Sequence, residues 1–487
     1  MTAVRPAAVI VLAAGEGTRM KSATPKVLHA IGGRSLVGHA IAAARGVDPE
    51  HLVVVVRHER DRVAAHVTEV APDALIADQD EVKGTGRAVE CGLEQLPSGL
   101  TGTVVVTYGD VPLLEPATLT ALLAQHSTSG SAVTVVTAHL DDPTGYGRVV
   151  RDADGSVAAI VEQKDATEEQ RAITEINSGL YAFDGRVLRE ALDQVGTDNA
   201  QGEKYLTDVL AIARRQGLTV SAHVVDDLWQ TEGVNDRVQL ATLGRELNRR
   251  IVERWMRAGV TVVDPATTWI DADVTIGRDT VVRPGVQLLG ATSIGEGAEI
   301  GPDSTLQDTR VGDGASVVRS QTLLAEIGAS ATVGPFSYLR PGTALGVAGK
   351  IGGFVETKNA QIGDGAKVPH LTYCGDAEIG AGTNVGAGTI FANYDGDHKH
   401  RSRLGRQVFI GSNSVLVAPA EIGDGAFVAA GSAITDPVGA GELAVARGRQ
   451  HNSPGWTVRR RPGTKAAEAA AASDEHDQAS SQEGTTR

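Results

Sequence analysis

The sequence predicts two folds in tandem. An α/β domain with a mainly parallel, Rossmann-like sheet is followed by a left-handed parallel β-helix of hexapeptide repeats. Three observations predict this. Residues 1–235 alternate short apolar runs with helix-like segments, the pattern of parallel strands joined by helices. From residue 259 an aliphatic side chain recurs every six positions. Glycine is abundant, at 58 of 487 residues, while aromatic residues make up only 3%, a composition suited to narrow coils with sharp corners. The organisation expected is a first domain over 1–235, a helical linker over 236–258, a β-helix over 259–461 and a tail over 462–487.

In the first domain AAVIVLA (7–13), HLVVVV (51–56), TVVVTYGD (103–110), SAVTVVTA (131–138) and AAIVE (158–162) read as strands buried on both faces. LVGHAIAAAR (36–45), RDRVAAHVTEV (60–70) and PATLTALLAQH (116–126) carry apolar residues at helical spacing. The charged, amphipathic stretch DRVQLATLGRELNRRIVERWMRA (236–258) reads as a helix linking the domains.

In the second domain Ile270, Ile276, Val282, Leu288, Ile294, Ile300 and Leu306 keep one six-residue register. After a one-residue slip it resumes at Ile327, Val333, Leu339, Leu345 and Ile351, and it closes with Ile410, Leu416, Ile422, Val428 and Ile434. A six-residue period fits neither a helix face nor simple strand alternation. It fits a coil of three short sides with the aliphatic residue inward and a small residue at the corner; a generic β-sandwich is the weaker alternative. The period breaks between Phe391 and Ile410, where ANYDGDHKHRSRLGRQVF predicts a loop projecting from a rigid scaffold. From Pro462 the chain is small, polar and acidic, and disorder is expected.

Composition excludes several classes. No run of eighteen apolar residues is present, so no transmembrane helix is expected. The apolar N-terminus is interrupted by Glu16 without a cleavage-type site, which argues against a secretory signal. Two cysteines, Cys91 and Cys374, cannot build a disulfide framework or a structural zinc site, and favour a reducing, cytoplasmic location. A net charge of -15 argues against nucleic-acid or anionic-membrane partners. Anionic substrates would need local cations.

The segment LAAGEGTRM (12–20) supplies such a place. It lacks both GxxxxGK[ST] and the third glycine of a dinucleotide fingerprint. What remains is a glycine turn whose N–H groups can approach phosphate, followed by Arg19, with Lys26 in TPKVLH nearby. A strand-to-helix turn without a ligand is the plainer reading of the loop alone. Asp110, in YGDVPLL, ends a buried strand where α/β sheets bind ligands, and beside a triphosphate it would hold Mg²⁺. Asn235 is a second candidate oxygen ligand. In the solenoid, His370 and Tyr373 (KVPHLTYCGDAEIG, 367–380) join Arg340, Lys358, Asn393, Tyr394 and Lys399, too many polar groups for a purely structural coil. They suit a small anionic sugar. Cys374 takes an aliphatic repeat position and reads as packing.

These motifs resemble the sugar-1-phosphate nucleotidyltransferases. LAAGEGTRM with PKVLH is similar to that group, and GTGRA (84–88), YGDVP, GYGRVV (145–150), VEQKDAT (161–167), EINSG (175–179) and GVND resemble its N-acetylglucosamine-1-phosphate uridyltransferase branch. The resemblance extends through the solenoid, as in bifunctional members whose second domain is a glucosamine-1-phosphate acetyltransferase. It implies synthesis of UDP-N-acetylglucosamine for peptidoglycan and the cell wall, from glucosamine-1-phosphate, acetyl-CoA and UTP through N-acetylglucosamine-1-phosphate. Leu12, Ala13, Gly15, Arg19, Lys26, Gln79, Gly84 and Thr85 would bind UTP, with Arg19 and Lys26 acting on its phosphates and Gln79 and Gly84 reading uracil. Asp110 and Asn235 would hold Mg²⁺ beside the sugar phosphate, and Gly147, Glu162 and Asn177 would hold the sugar. His370 would be the general base of acetyl transfer. Arg340, Lys358, Tyr373 and Asn384 would bind glucosamine-1-phosphate, with Asn393 also fixing the sugar. Ala387, Asn393, Tyr394, Lys399, Ser412, Ala430 and Arg447 match acetyl-CoA positions. Similar β-helix acyltransferases are trimers with acetyl-CoA between neighbouring solenoids, so a homotrimer is implied.

One local departure stands out. The family carries Gln-Leu before GTG and His after it, whereas this chain has Val82-Lys83 and Arg87. Beside the nucleotide the two cations would either tighten triphosphate binding or face solvent, and facing solvent is the favoured reading. Two other readings stay open: a solenoid serving only oligomerisation or regulation, and a different nucleotide or sugar, because a phosphate loop reads charge and not base.

Overall fold

Seven strands of the first domain run side by side in the order Val220–Val224, Val133–His139, Glu175–Asp184, Thr103–Tyr108, Ala8–Leu12, His51–Val56, Leu75–Asp78. This is a computed structural model, and it describes residues 4–153, 155–199 and 201–473. Ala8–Leu12 pairs in parallel with both neighbours, as its unbroken apolar run requires: all five residues are buried. The sheet is more mixed than expected. Glu175–Asp184 runs antiparallel to both of its partners. It also meets an antiparallel pair, Arg148–Arg151 with Val157–Val161. The strand expected at 158–162 to be buried on both faces is the second member of that pair and is mostly half-buried, because it pairs on one side only.

The helices Leu36–Arg45 and Arg60–Val70 fall where their periodicity puts them, and the third extends to Pro116–Ser129. Ser35 caps the first by accepting from the Gly38 amide at 3.0 Å. The parallel strands ending at Leu12, Val56, Asp78 and Tyr108 open on one edge, where the loops that follow them converge. The linker helix Arg237–Arg257 is capped by Asp236, which accepts from the amides of Val238 and Gln239. From this helix the buried Asn248 amide bonds Thr268 O and the Ile270 amide, 2.8 and 2.9 Å, closing the open end of the first coil.

Beyond the helix the strands stack in parallel, mostly each against the third strand onward, and against the second around the longer strands Glu356–Ile362 and Tyr373–Ile379, which turn a corner. Trp269 pairs with Gln287, Thr275 with Ser293 and Val281 with Glu299, so one left-handed coil takes eighteen residues in three six-residue sides. Every aliphatic repeat residue named above is buried, in one continuous apolar core. The register change differs from the expected one-residue slip. Inward positions run Leu306, Val311, Val317, Thr322, Ile327, so three sides are one residue short. The polar Thr322 in that series is satisfied by the Thr309 hydroxyl at 2.9 Å. Leu339→Ala, at a fully buried rung, is expected to cost about 2–5 kcal/mol. Urea unfolding would show it, and a loss under about 0.5 kcal/mol would contradict this packing.

The projecting loop is shorter than its sequence suggested. Ile390 pairs with Val415, twenty-five residues on instead of the seventeen of the preceding rung. Already at Ser402–Leu404 the chain has rejoined the coil. In the segment expected to be disordered, residues 465–473 are helical, with Ala467 buried. The remainder of the tail, 474–487, lies outside the described residues.

Candidate active sites

At the strand-end edge of the first domain is a cavity of about 450 Å³. Leu12, Ala13, Gly15, Lys26, Gln79, Gly84, Thr85 and Asp110 all line it. These residues come from four loops separated by up to ninety-eight positions, and only the parallel sheet brings them together. Gly84 is required by its backbone: φ is +115°, and a Cβ would fall 2.2 Å from Lys204 O. Gln79 Nε2 donates to Val82 O (3.0 Å) and Gly84 O (3.2 Å), which leaves its carbonyl oxygen for a ligand.

The cations are not bare. Lys26 Nζ lies 2.5 Å from Asp110 Oδ2, with both side chains largely buried, and Arg19 donates to Asn235 Oδ1 at 2.9 Å. Each phosphate-binding candidate is therefore held by a metal-binding candidate. Asn235 is fixed by the start of the linker helix through its amide to Gln239 Oε1 (2.8 Å), and next to it the Val234 amide bonds Asp110 O (2.9 Å). The two oxygen donors are hard ligands of the kind Mg²⁺ prefers, and the ion keeps room for phosphate oxygens when only two protein groups bind it. Among the described residues no group of three His, Cys, Asp or Glu could hold a metal.

Gly147, Glu162 and Asn177 meet one another: a Cβ on Gly147 would lie 3.4 Å from Glu162 Oε1 and 3.6 Å from Asn177 Cβ. Burial, then the charges of Asp165 and Asp208, push the Glu162 carboxyl up. Tyr108, which lines the cavity, feels both Asp110 and Glu162, and burial chiefly holds its phenol well above the usual range. Arg57, Lys83 and Glu203 also line the cavity. Arg57 had a signal, its place directly after the parallel strand HLVVVV; Glu203 had none.

Of the two cations expected to face solvent, only Arg87 departs from the expectation. Lys83 is exposed but lines the cavity. Arg87 is turned into an ion-pair cluster with Asp80 (2.7 Å), Glu90 (3.2 Å) and Glu94 (3.0 Å).

In the solenoid the expected residues occupy two corners. Along the first, Gly388 N bonds His370 O (3.2 Å), Asn413 N bonds Ala387 O (2.8 Å) and Gly431 N bonds Ser412 O (2.8 Å), while Arg447 donates to Ala430 O (2.7 Å). His370, Ala387, Ser412, Ala430 and Arg447 thus form one column, a rung of about 4.8 Å apart. His370 is exposed at its head.

The second corner carries charge. Asp376 accepts from Asn359 Nδ2 (2.7 Å) and Asn393 Nδ2 (2.6 Å). Burial pushes its carboxyl up, but those bonds and the charges of Lys358 and Lys399 outweigh it and hold it below the carboxylate range. The Lys399 charge, then lost hydration and then the Arg340 charge lower the Lys358 pKa. Arg340 pairs with Glu356 at 2.8 Å. Tyr373 reaches across the face between corners: its hydroxyl is 3.4 Å from Asn393 Nδ2, and only a glycine at 375 leaves room, since a Cβ would fall 2.4 Å from that hydroxyl. Tyr394 and Lys399 bridge the base of the projecting hairpin.

The structure does not gather every expected residue within one chain. Asn393, Tyr394 and Lys399 follow the strand Ile390–Ala392 while Ala387 precedes it, so they lie across a face of about 10 Å from the first column. Asn384 points out from the adjacent face, paired beside Lys367 and Phe409. Cys374 is fully buried in the core, where desolvation pushes its thiol up to about 12.

Comparison with known proteins agrees with both halves. Residues 9–194 match the family described as MobA-like NTP transferase domain, and residues 401–436 match bacterial transferase hexapeptide (six repeats). A Bifunctional protein GlmU from Pseudarthrobacter chlorophenolicus is 61% identical over 469 residues, covering 96% of this chain and 95% of that relative. Those of Paenarthrobacter aurescens and Kineococcus radiotolerans are 59% and 60% identical, covering 98% and 96% of this chain and 97% and 94% of the relatives. Similarity at that level, unbroken across both domains, leaves neither half to a different lineage: the chain belongs to the family of bifunctional GlmU proteins.

Proposed function

We infer that this chain makes UDP-N-acetylglucosamine at two sites, acetylating glucosamine-1-phosphate on the solenoid and uridylylating the product on the α/β domain. The observation that carries it is near-full-length membership of the bifunctional family together with a distinct polar site in each domain. Product analysis with glucosamine-1-phosphate, acetyl-CoA and UTP supplied together tests both. Absence of thiol release would leave the solenoid a structural module, and a nucleotide panel would expose a preference other than UTP.

In the first site a phosphate oxygen of N-acetylglucosamine-1-phosphate attacks the α-phosphorus of UTP, and pyrophosphate leaves. The nucleophile is already anionic, so positioning and charge stabilisation do most of the work. Gly147, Glu162 and Asn177 hold the sugar, the loop 79–85 holds the base, and Arg19 and Lys26 turn from Asn235 and Asp110 to the phosphates. Asp110 and Asn235 would hold Mg²⁺, which when bound would neutralise charge on the phosphates.

In the second site the amine nitrogen attacks the thioester carbon, the coenzyme A thiolate departs, and His370 takes the amine proton. A protonated amine has no lone pair, so a base is needed, and imidazole suits neutral pH. Phosphate on Arg340 and Lys358 at one corner and an amine near His370 at the other span about 10 Å, a length near that of the sugar phosphate. Ala387, Ser412, Ala430 and Arg447 line the coenzyme column. Asn384, Asn393, Tyr394 and Lys399 reach one ligand together with that column only if a neighbouring copy contributes a corner, which supports a homotrimer. The family, and the lack of any helix among the described residues long and apolar enough to cross a membrane, support a cytoplasmic enzyme.

The charge of Lys399 felt at Lys358 sets a pH dependence. Lys358 must be charged to hold phosphate, and it loses its proton below the ordinary lysine value of 10.5. Glucose-1-phosphate, which lacks the amine, is therefore expected to inhibit acetyl transfer less well as pH rises, before that value is reached. Constant inhibition up to pH 10.5 would contradict this.

A further inference from the structure

We propose that Arg87 is a positioning residue of the uridylyl site, which holds the loop Gln79–Gly84 in the shape that selects the nucleobase. This rests on the nucleotide site proposed above and adds a residue to it. The loop has few supports of its own. Gln79 folds back on the carbonyls of Val82 and Gly84, and Asp80 Oδ1 accepts the Val82 amide at 3.0 Å. The other oxygen of Asp80 takes a fork from Arg87, Nε at 3.0 Å and Nη2 at 2.7 Å. Arg87 Nη1 meanwhile donates to Glu90 and Glu94 on its own helix, Thr85–Glu94. The guanidinium therefore ties the loop to the helix that follows it.

The tie extends to a third segment. Glu90 also accepts the Lys204 ammonium, while the Lys204 amide bonds Lys83 O (2.9 Å) and the Gly86 amide bonds Lys204 O (2.8 Å). Glu203, next along, lines the nucleotide cavity. Three carboxylates, Asp80, Glu90 and Glu94, thus share Arg87 and Lys204, with the charge of Arg57 also felt at Asp80. Hydrogen bonding to Arg87 is the chief cause holding the Asp80 carboxyl low. Without Arg87, three like charges face one lysine, and the Asp80 that props Val82 is repelled by the helix. A planar five-donor fork can serve three carboxylates at once, which neither lysine nor histidine can.

The test is steady-state uridylyl transfer by the full chain carrying Arg87→Ala, Arg87→Lys or Asp80→Asn, with UTP and CTP as donors. Asparagine at 80 can still accept the Val82 amide but carries no charge for the fork. In Arg87→Ala and Asp80→Asn the KM for UTP is expected to rise about ten-fold, the effect of one charge-assisted contact, with kcat within about two-fold. The preference for UTP over CTP should fall by about ten-fold too, with Arg87→Lys between, and the KM for N-acetylglucosamine-1-phosphate unmoved. A retained kcat for uridylyl transfer and an unmoved KM for N-acetylglucosamine-1-phosphate report a folded first domain; should Arg87→Ala lose them, Asp80→Asn decides. Unchanged UTP affinity and base preference in a folded Asp80→Asn would overturn the proposal. A wild type that consumes no UTP would instead overturn the functional reading beneath it, and this role with it.

Discussion

His370→Ala should abolish thiol release from acetyl-CoA in the presence of glucosamine-1-phosphate, a fall of about 10²–10⁴-fold, while UTP-dependent pyrophosphate release stays within about two-fold. The side chain is exposed at a corner of the solenoid, so its removal leaves no cavity and should barely alter unfolding. Its backbone carbonyl, which carries the rung bond to Gly388, is untouched. The loss would thus belong to the imidazole. At alkaline pH more of the substrate amine is already unprotonated, so the deficit should narrow there. Thiol release near the wild-type rate would remove His370 as the base. Loss of both activities would point to assembly instead of chemistry.

Asp110→Asn should have the mirror effect, lowering uridylyl transfer by roughly 10²–10³-fold with acetyl transfer intact. Two consequences add. The proposed Mg²⁺ ligand loses its charge, and Lys26, whose side chain is 12% exposed, loses the carboxylate that balances it. An unpaired, largely buried ammonium is costly, so a modest loss of domain stability is also expected. Raising Mg²⁺ should recover part of the rate, because asparagine keeps one oxygen donor. An unchanged Mg²⁺ dependence would show that the ion binds elsewhere.

Much of the architecture was legible because periodicity reports burial directly. Ile270 through Ile434 lie in the core because any chain repeating an aliphatic residue every six positions can bury that series only in a three-sided coil. The helices at 36–45 and 60–70 were equally plain. Less legible were Glu175–Asp184, whose direction no local pattern encodes, and the shortened sides around Thr322, where a threonine stands at an inward position.

The candidate sites divide in the same way. LAAGEGTRM, YGDVP and KVPHLTYCGD announced their chemistry in short motifs, where glycine, a strand-end carboxylate and an isolated histidine are locally conspicuous. Contacts between distant segments carried no such mark. The Lys26–Asp110 and Arg19–Asn235 pairs show that the first site, read from sequence as cationic, is internally balanced. Arg87 looked like a surface substitution because its three carboxylate partners only become neighbours once the helix and loop have folded.

The sequence by itself determined the two fold classes and the six-residue rung and singled out the candidate reactive side chains, since those depend on residue type and near-neighbour spacing. Only the tertiary structure decided which charges neutralise one another, that the solenoid residues split between two corners, and that Arg87 faces the nucleotide loop. The first two are distances between residues far apart in the chain, fixed by the sheet order and by the seventeen- or twenty-five-residue rung that separates them; the third is set by the turn that brings Asp80 back onto the helix carrying Arg87 seven residues later.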